Sequence, residues 1–135
     1  MQTQKQGLFS DAPVISIYTR AQAIDDGFLV DVSQSSEYRE LRFRFPIALT
    51  RAVWDQYVEV PNGVELQDLK GRLWDLLFML RQAIRSSSTG DYLKFQLHVR
   101  NDNSAGMPPL VTLKAICSPG DDGAPCITVI LPEED

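Results

Sequence analysis

His98 is the only histidine in the chain, and Cys117 and Cys126 are the only cysteines. An imidazole beside a thiol makes a nucleophile dyad, in which the ring nitrogen takes the thiol proton. The alternation around His98 instead places it on the wet face of a strand, with no motif around it, as an ordinary surface histidine. The positions 98, 117 and 126 match no zinc ligand set. Cys117 and Cys126 flank a loop and can face each other across it, so a disulfide is geometrically open. Free thiols are the expectation in a reducing cytosol.

Carboxylates form a second group. Asp121 and Asp122 lie in GDDG (Gly120 to Gly123). A calcium loop carries more oxygen ligands at fixed alternation, whereas Asp-Gly at a hairpin tip follows from turn geometry, so a turn and no metal are expected. Asp25, Asp26 and Asp31 make another acidic group, and Asp26 before Gly27 reads as the end of a short helix. After Asn103 the single cation is Lys114, set against Asp121, Asp122, Glu133, Glu134, Asp135 and the terminal carboxylate. A carboxylate-lined patch competes for basic side chains by complementarity. Asp121, Asp122, Glu133, Glu134 and Asp135, joined by Asp25 and Asp26, are therefore the expected partner-binding residues.

The basic cluster is Arg39, Arg42 and Arg44, interleaved with Phe43 and Phe45. Arginine beside exposed rings suits a small contact with single-stranded nucleic acid. An amphipathic strand with solvated arginines is the plainer reading in an acidic chain. No glycine-rich phosphate loop, nucleophile elbow or HExxH occurs. No catalytic residue, cofactor or metal is expected, and the protein reads as a non-enzyme.

Composition frames these candidates. At 135 residues, with 44% apolar and 23% charged residues, the chain suits one soluble domain that needs no metal or disulfide to fold. A formal charge of −5 argues against a general nucleic-acid or anionic-membrane binder and permits a partner with a basic surface. The polar start lacks an apolar core for a signal peptide, and no apolar run reaches the ~20 residues that span a bilayer. A cytoplasmic protein is expected.

The elements that would position the candidates follow from periodicity. Residues 1–12 read as a flexible tail and 13–135 as one globular domain. VISIY (Val14 to Tyr18) reads as a short strand or docking segment. Thr19 with Gln22 makes a capping box for a helix over Arg20 to Asp26, closed by Gly27. FLVDV follows as a strand, Ser33 to Glu40 as a turn or two of helix, and RFRFP as an amphipathic strand. Thr50 caps a helix to about Val58, with Val53, Trp54, Tyr57 and Val58 inward. The longest helix is expected over about 63–85, capped by Asn62 with Glu65. Leu66, Leu69, Leu73, Leu76, Leu80 and Ala83 form its stripe, and Trp74, Phe78 and Met79 widen it until most of its circumference is buried. Tyr92 to Arg100 alternates as a strand with Leu93, Phe95, Leu97 and Val99 inward. Strands near 110–117 and 126–131 close a hairpin. The class is α+β, a small antiparallel sheet packed on the long helix.

The blocks YTRAQAIDDGFLVDVS, FPIALTRAVWDQYV, DLKGRLWDLLFMLRQAIR and VTLKAICSPGDDGAPCITVILPEED, covering about Ile15 to Asp135, resemble a family of small acidic bacterial proteins carried on plasmids, phages and other mobile elements. That resemblance brings no activity, fold or catalytic residue with it. It implies cargo similar to anti-restriction and anti-CRISPR proteins. The function expected on that basis is non-catalytic inhibition of a bacterial defence complex, a CRISPR effector or restriction complex with a basic surface, and no direct contact with nucleic acid or membrane. A small enzyme, or a nucleic-acid-binding regulatory factor of the mobile element, is the alternative.

Overall fold

A computed structural model of the protein describes residues 18–87 and 90–134. The N-terminal tail and most of VISIY lie outside the described residues, as does Asp135.

The described chain is α+β, as its patterning predicts. Helix α1 (Arg20–Asp25) starts at the Thr19 and Gln22 capping box and leads into β1 (Leu29–Asp31). Helix α2 (Ser36–Glu40) is capped by Ser35, and β2 (Ile47–Thr50) follows. Thr50 caps α3 (Arg51–Val53), which widens into a π-helical stretch, Trp54–Val58. Then come α4 (Leu69–Ser86), β3 (Tyr92–His98), β4 (Leu110–Pro119) and β5 (Pro125–Ile130).

The five strands form one sheet in the order β1-β2-β5-β4-β3. Three pairings are antiparallel, whereas β2 and β5 run parallel, so the sheet is mixed. The parallel pair arises because β5 inserts between the two halves of the sheet; its Ile127 and Val129 pair with Ile47 and Leu49 of β2. Helix α4 covers one face. Leu76, Leu77 and Leu80 are fully buried there against Leu49, Leu113 and Val129. Burying a leucine of this kind stabilises by roughly 1.5–3 kcal/mol. Helix α1 packs beside β1, and its Arg20 guanidinium reaches β5, donating to Thr128 Oγ1 at 2.6 Å and to the Ile127 carbonyl at 2.7 Å.

Two sequence expectations give way to tertiary contacts. The long helix begins at Leu69, capped by Asp68, whose side chain accepts from Gly71 N at 2.7 Å. The Asn62 and Glu65 box does not form. Glu65 N donates instead to Asn103 Oδ1, and Asn103 Nδ2 donates to the Gly63 carbonyl, tying this segment to the loop after β3. Gly63 and Leu66 both take positive φ, and Leu66 is fully exposed rather than part of the stripe. The outer side of α4 is also less covered than its composition suggests, since Phe78 and Met79 remain more than a third exposed.

RFRFP is a turn, not a strand. Arg42 sits in the left-handed region at φ 57° after the end of α2, with its N–H on the Arg39 carbonyl. Phe43 stacks on Tyr38 with ring centroids 5.5 Å apart, and the Tyr38 hydroxyl donates to the Phe45 carbonyl. Those contacts hold the turn closed, so the two phenylalanines point inward from a loop while Arg42 and Arg44 stay exposed.

Candidate anion-binding groove

The acidic hairpin folds as its turn chemistry predicts. Asp122 Oδ1 accepts from Ala124 N, and Gly120 pairs with Ala124 across the tip. Its carboxylates are largely committed to internal contacts. Asp121 accepts from the N–H of Arg20 at 2.8 Å and of Ala21 at 2.9 Å, capping α1 from outside. Those backbone donors hold its carboxyl below the usual range. Glu134 Oε1 accepts from Thr50 Oγ1 and from Leu131 N, stapling the C-terminal turn to β2. Asp26 accepts from the Tyr18 hydroxyl at 2.7 Å, a bond that pushes the phenol up to about 12. Asp25 and Glu133 are exposed. The structure therefore brings Asp121 and Asp122 to the start of α1 and sets Asp25 and Asp26 at its end, while Glu133 and Glu134 belong to a separate turn.

The histidine and cysteines do not meet. His98 closes β3 opposite Leu110, and its Nδ1 lies 2.8 Å from the Pro108 carbonyl. Cys117 stands seven residues further along β4, roughly 23 Å away at about 3.3 Å per residue. Cys117 pairs with Ile127 and Cys126 with Ser118, which puts the two thiols on opposite faces of the hairpin; both are free. No group of three histidine, cysteine or acidic side chains able to hold a metal occurs among the described residues.

The arginines do converge. A groove of about 620 Å³ opens where the C-terminal end of α4 leaves the sheet uncovered. Its floor is the α4-facing side of the sheet, with Leu93 beside Ala115 and Cys117 beside Ile127. Its rim carries Arg42 and Arg44 from the turn after α2 and Arg81 and Arg85 from the last turns of α4. Asp91 is the one carboxylate among its lining residues. Four arginines against one carboxylate is a sharp local reversal in a chain of charge −5. Arg81 is fixed by its Nε–H on the Leu41 carbonyl at 2.8 Å, which also ties α4 to the turn.

The sequence found half of this rim. Arg42 and Arg44 were visible as a cluster, but Arg39 turns away, its guanidinium donating to the Gln34 carbonyl. Arg81 and Arg85 were missed because they lie about forty positions on. Their signal is the i, i+4 spacing of two arginines on one helix face near a C-terminus, where cations are favoured by the helix dipole.

No helix among the described residues is long and apolar enough to cross a membrane. No curated protein and no solved structure matches the chain. Residues 5–135 match one family model, described as "Family of unknown function (DUF6573)". The chain belongs to that family.

Proposed function

We propose that this is a non-catalytic binding protein whose site is the arginine-rimmed groove and whose ligand carries phosphate. The observation that carries the reading is the convergence of Arg42, Arg44, Arg81 and Arg85, from two separate segments, over an apolar floor. A guanidinium presents a rigid fork of donors that fits phosphate oxygens two at a time, and it stays charged when partly covered. The floor of Leu93, Ala115 and Ile127 accepts the less polar body of the ligand. The left-handed backbone at Arg42, which costs roughly 1–2 kcal/mol in a non-glycine residue, fits a turn kept for what it presents. A binding role without turnover is favoured because Cys117, the nucleophile type in the floor, has its candidate base at the far end of the neighbouring strand.

The test is calorimetric titration with pyrophosphate and with ATP at low salt. Wild-type protein is expected to bind both, and Arg44→Gln/Arg85→Gln to weaken binding at least about tenfold, equivalent to ~1.4 kcal/mol. Absence of binding by the wild type would overturn the reading.

A second reading concerns the opposite charge. The Asp121 contact sets Asp121 and Asp122 at the start of one short helix that carries Asp25 and Asp26 at its other end, an acidic patch suited to a basic protein surface. With the resemblance to mobile-element cargo, this supports inhibition of a defence complex such as a CRISPR effector or restriction enzyme. Affinity capture from a host carrying such a complex tests it. No captured effector, together with unchanged phage or plasmid survival on deletion, would remove it.

A further inference from the structure

The lining of the groove divides by chemistry. Its charge is on the rim. Four arginines and one carboxylate, Asp91, leave three positive charges among the described lining residues. A phosphate group carries about −1.5 to −2 at neutral pH, so one leaves part of that charge unmatched and two together match it. The interior is hydrocarbon. Leu93, Ala115 and Ile127 form the floor, and Ile84 of α4 with Phe43 and Phe45 of the turn complete the wall. Ile84 is 36% exposed, an aliphatic side chain that the fold leaves partly uncovered inside the groove. No asparagine, glutamine, threonine or histidine occurs among the described lining residues. A nucleobase needs such groups at its edge, because its ring nitrogens and amines cost free energy when they are laid unpaired on an apolar floor. The volume, about 620 Å³, lies in the range of sites that take up a whole small molecule.

We infer that the ligand is a diphosphate monoester of a short hydrocarbon chain, its diphosphate held by Arg42, Arg44, Arg81 and Arg85 and its chain laid over the floor against Ile84. This rests on the groove being a phosphate site, as proposed above. The two parts of the groove select the two parts of the molecule. Guanidinium forks take phosphate oxygens in pairs. The chain displaces water from the floor, a gain in affinity of roughly fourfold per buried methylene. A nucleoside diphosphate shares the headgroup, but it sets sugar hydroxyls and a base edge against side chains that cannot pair with them. A phosphate lipid shares the chemistry too, but in a bilayer its chains stay behind in the membrane and never reach the floor.

Calorimetric titration at low salt with pyrophosphate, dimethylallyl diphosphate, geranyl diphosphate and ADP tests the inference, with phosphatidylcholine vesicles containing phosphatidic acid as the membrane arm. Geranyl diphosphate is expected to bind at least about tenfold more tightly than pyrophosphate, than ADP, and than dimethylallyl diphosphate, which is one isoprene unit shorter. The vesicles are expected to bind more weakly than geranyl diphosphate. Ile84→Gln, at a partly exposed position, is expected to shrink the ratio of geranyl diphosphate to pyrophosphate affinity about fivefold with unchanged thermal unfolding. Cys117, half-buried in the groove, supplies a second readout. Saturating geranyl diphosphate is expected to slow its alkylation by iodoacetamide at least about fivefold and pyrophosphate much less, with the buried Cys126 as reference. Equal affinity for pyrophosphate and geranyl diphosphate overturns the hydrocarbon chain and leaves the phosphate groove standing. So does an unprotected Cys117, an Ile84→Gln protein that keeps the full ratio, ADP binding as tightly as geranyl diphosphate, or tighter binding of the vesicles. Binding of none of these ligands overturns both readings.

Discussion

The carboxylate of Asp121 accepts the backbone N–H of Arg20 at 2.8 Å, joining the tip of the β4–β5 hairpin to the first turn of α1 across 101 positions of sequence. The neighbouring N–H of Ala21 completes the grip. This acidic loop thus serves first as a clamp on the first described helix. The same acceptor contact holds the Arg20 backbone where its guanidinium reaches β5.

Asp121→Ala is expected to speed amide exchange at Arg20 and Ala21 and to lower the unfolding midpoint at neutral pH; Asp121→Asn, which keeps one acceptor, is expected to do so less. The pH dependence has a definite sign. Because the folded carboxyl is held below its ordinary value, its contribution is complete above the usual aspartate range of ~3.9 and fades as pH falls through the depressed folded value. Wild type and Asp121→Asn should therefore converge in acid, as followed by circular dichroism.

Glu37 and Lys70 give a second acid-side prediction. Glu37 is buried, and its carboxylate meets the Lys70 ammonium at 2.9 Å, fixing α2 to α4. The hydrogen bond from Lys70 is the main cause of its lowered pKa. Its stabilisation is present above the usual glutamate range near ~4.3 and lost as pH falls through the lower folded value. Lys70, raised by the same bond, loses its share as pH rises through its own elevated value. Glu37→Gln should flatten the acid limb of a stability–pH profile, and added salt should mimic only part of that loss because the lysine is mostly exposed.

Arg72 is 5% exposed and carries an interior network. Its Nε–H donates to the Val58 carbonyl that ends the π-helical stretch, Nη1 to the Arg100 carbonyl at 2.6 Å, and Nη2 to Asn101 Oδ1 at 2.7 Å. Arg72→Met leaves those acceptors without donors and is expected to cost about 3 kcal/mol in denaturant unfolding. A loss below about 1 kcal/mol would show that water replaces the guanidinium.

The start of α4 separates local pattern from tertiary outcome. Asp68→Ala should cost about 1 kcal/mol by removing a cap, whereas Asn62→Ala should cost only a few tenths. The reverse order, measured by chemical denaturation, would restore the longer helix.

These contrasts show where the sequence was legible. Elements set by neighbouring residues were read directly: the Thr19 and Gln22 capping box, a short helix within Ser33 to Glu40, the Thr50 start, the alternation of β3, and the Asp122 turn. The α+β class followed from them. What escaped was fixed by distant partners. Asn103 captures the Gly63–Glu65 segment, and the Tyr38 contacts curl RFRFP into a turn. The parallel placement of β5 beside β2 carries no local signal at all. The site was half legible for the same reason. Net charge obscured a local excess of cations because Arg81 and Arg85 reach the rim only once α4 packs beside the turn. The acidic residues stood out in sequence, and several of them turn out to be hydrogen-bond acceptors within the fold.

The most direct measurement is an amide-resolved NMR titration of the whole chain with pyrophosphate at low salt. Shifts concentrated at Phe43, Arg44, Arg85, Tyr92 and Leu93, saturating with added pyrophosphate, are the predicted result. A spectrum that does not change, or changes confined to Asp121, Asp122 and α1, would contradict binding at the arginine groove.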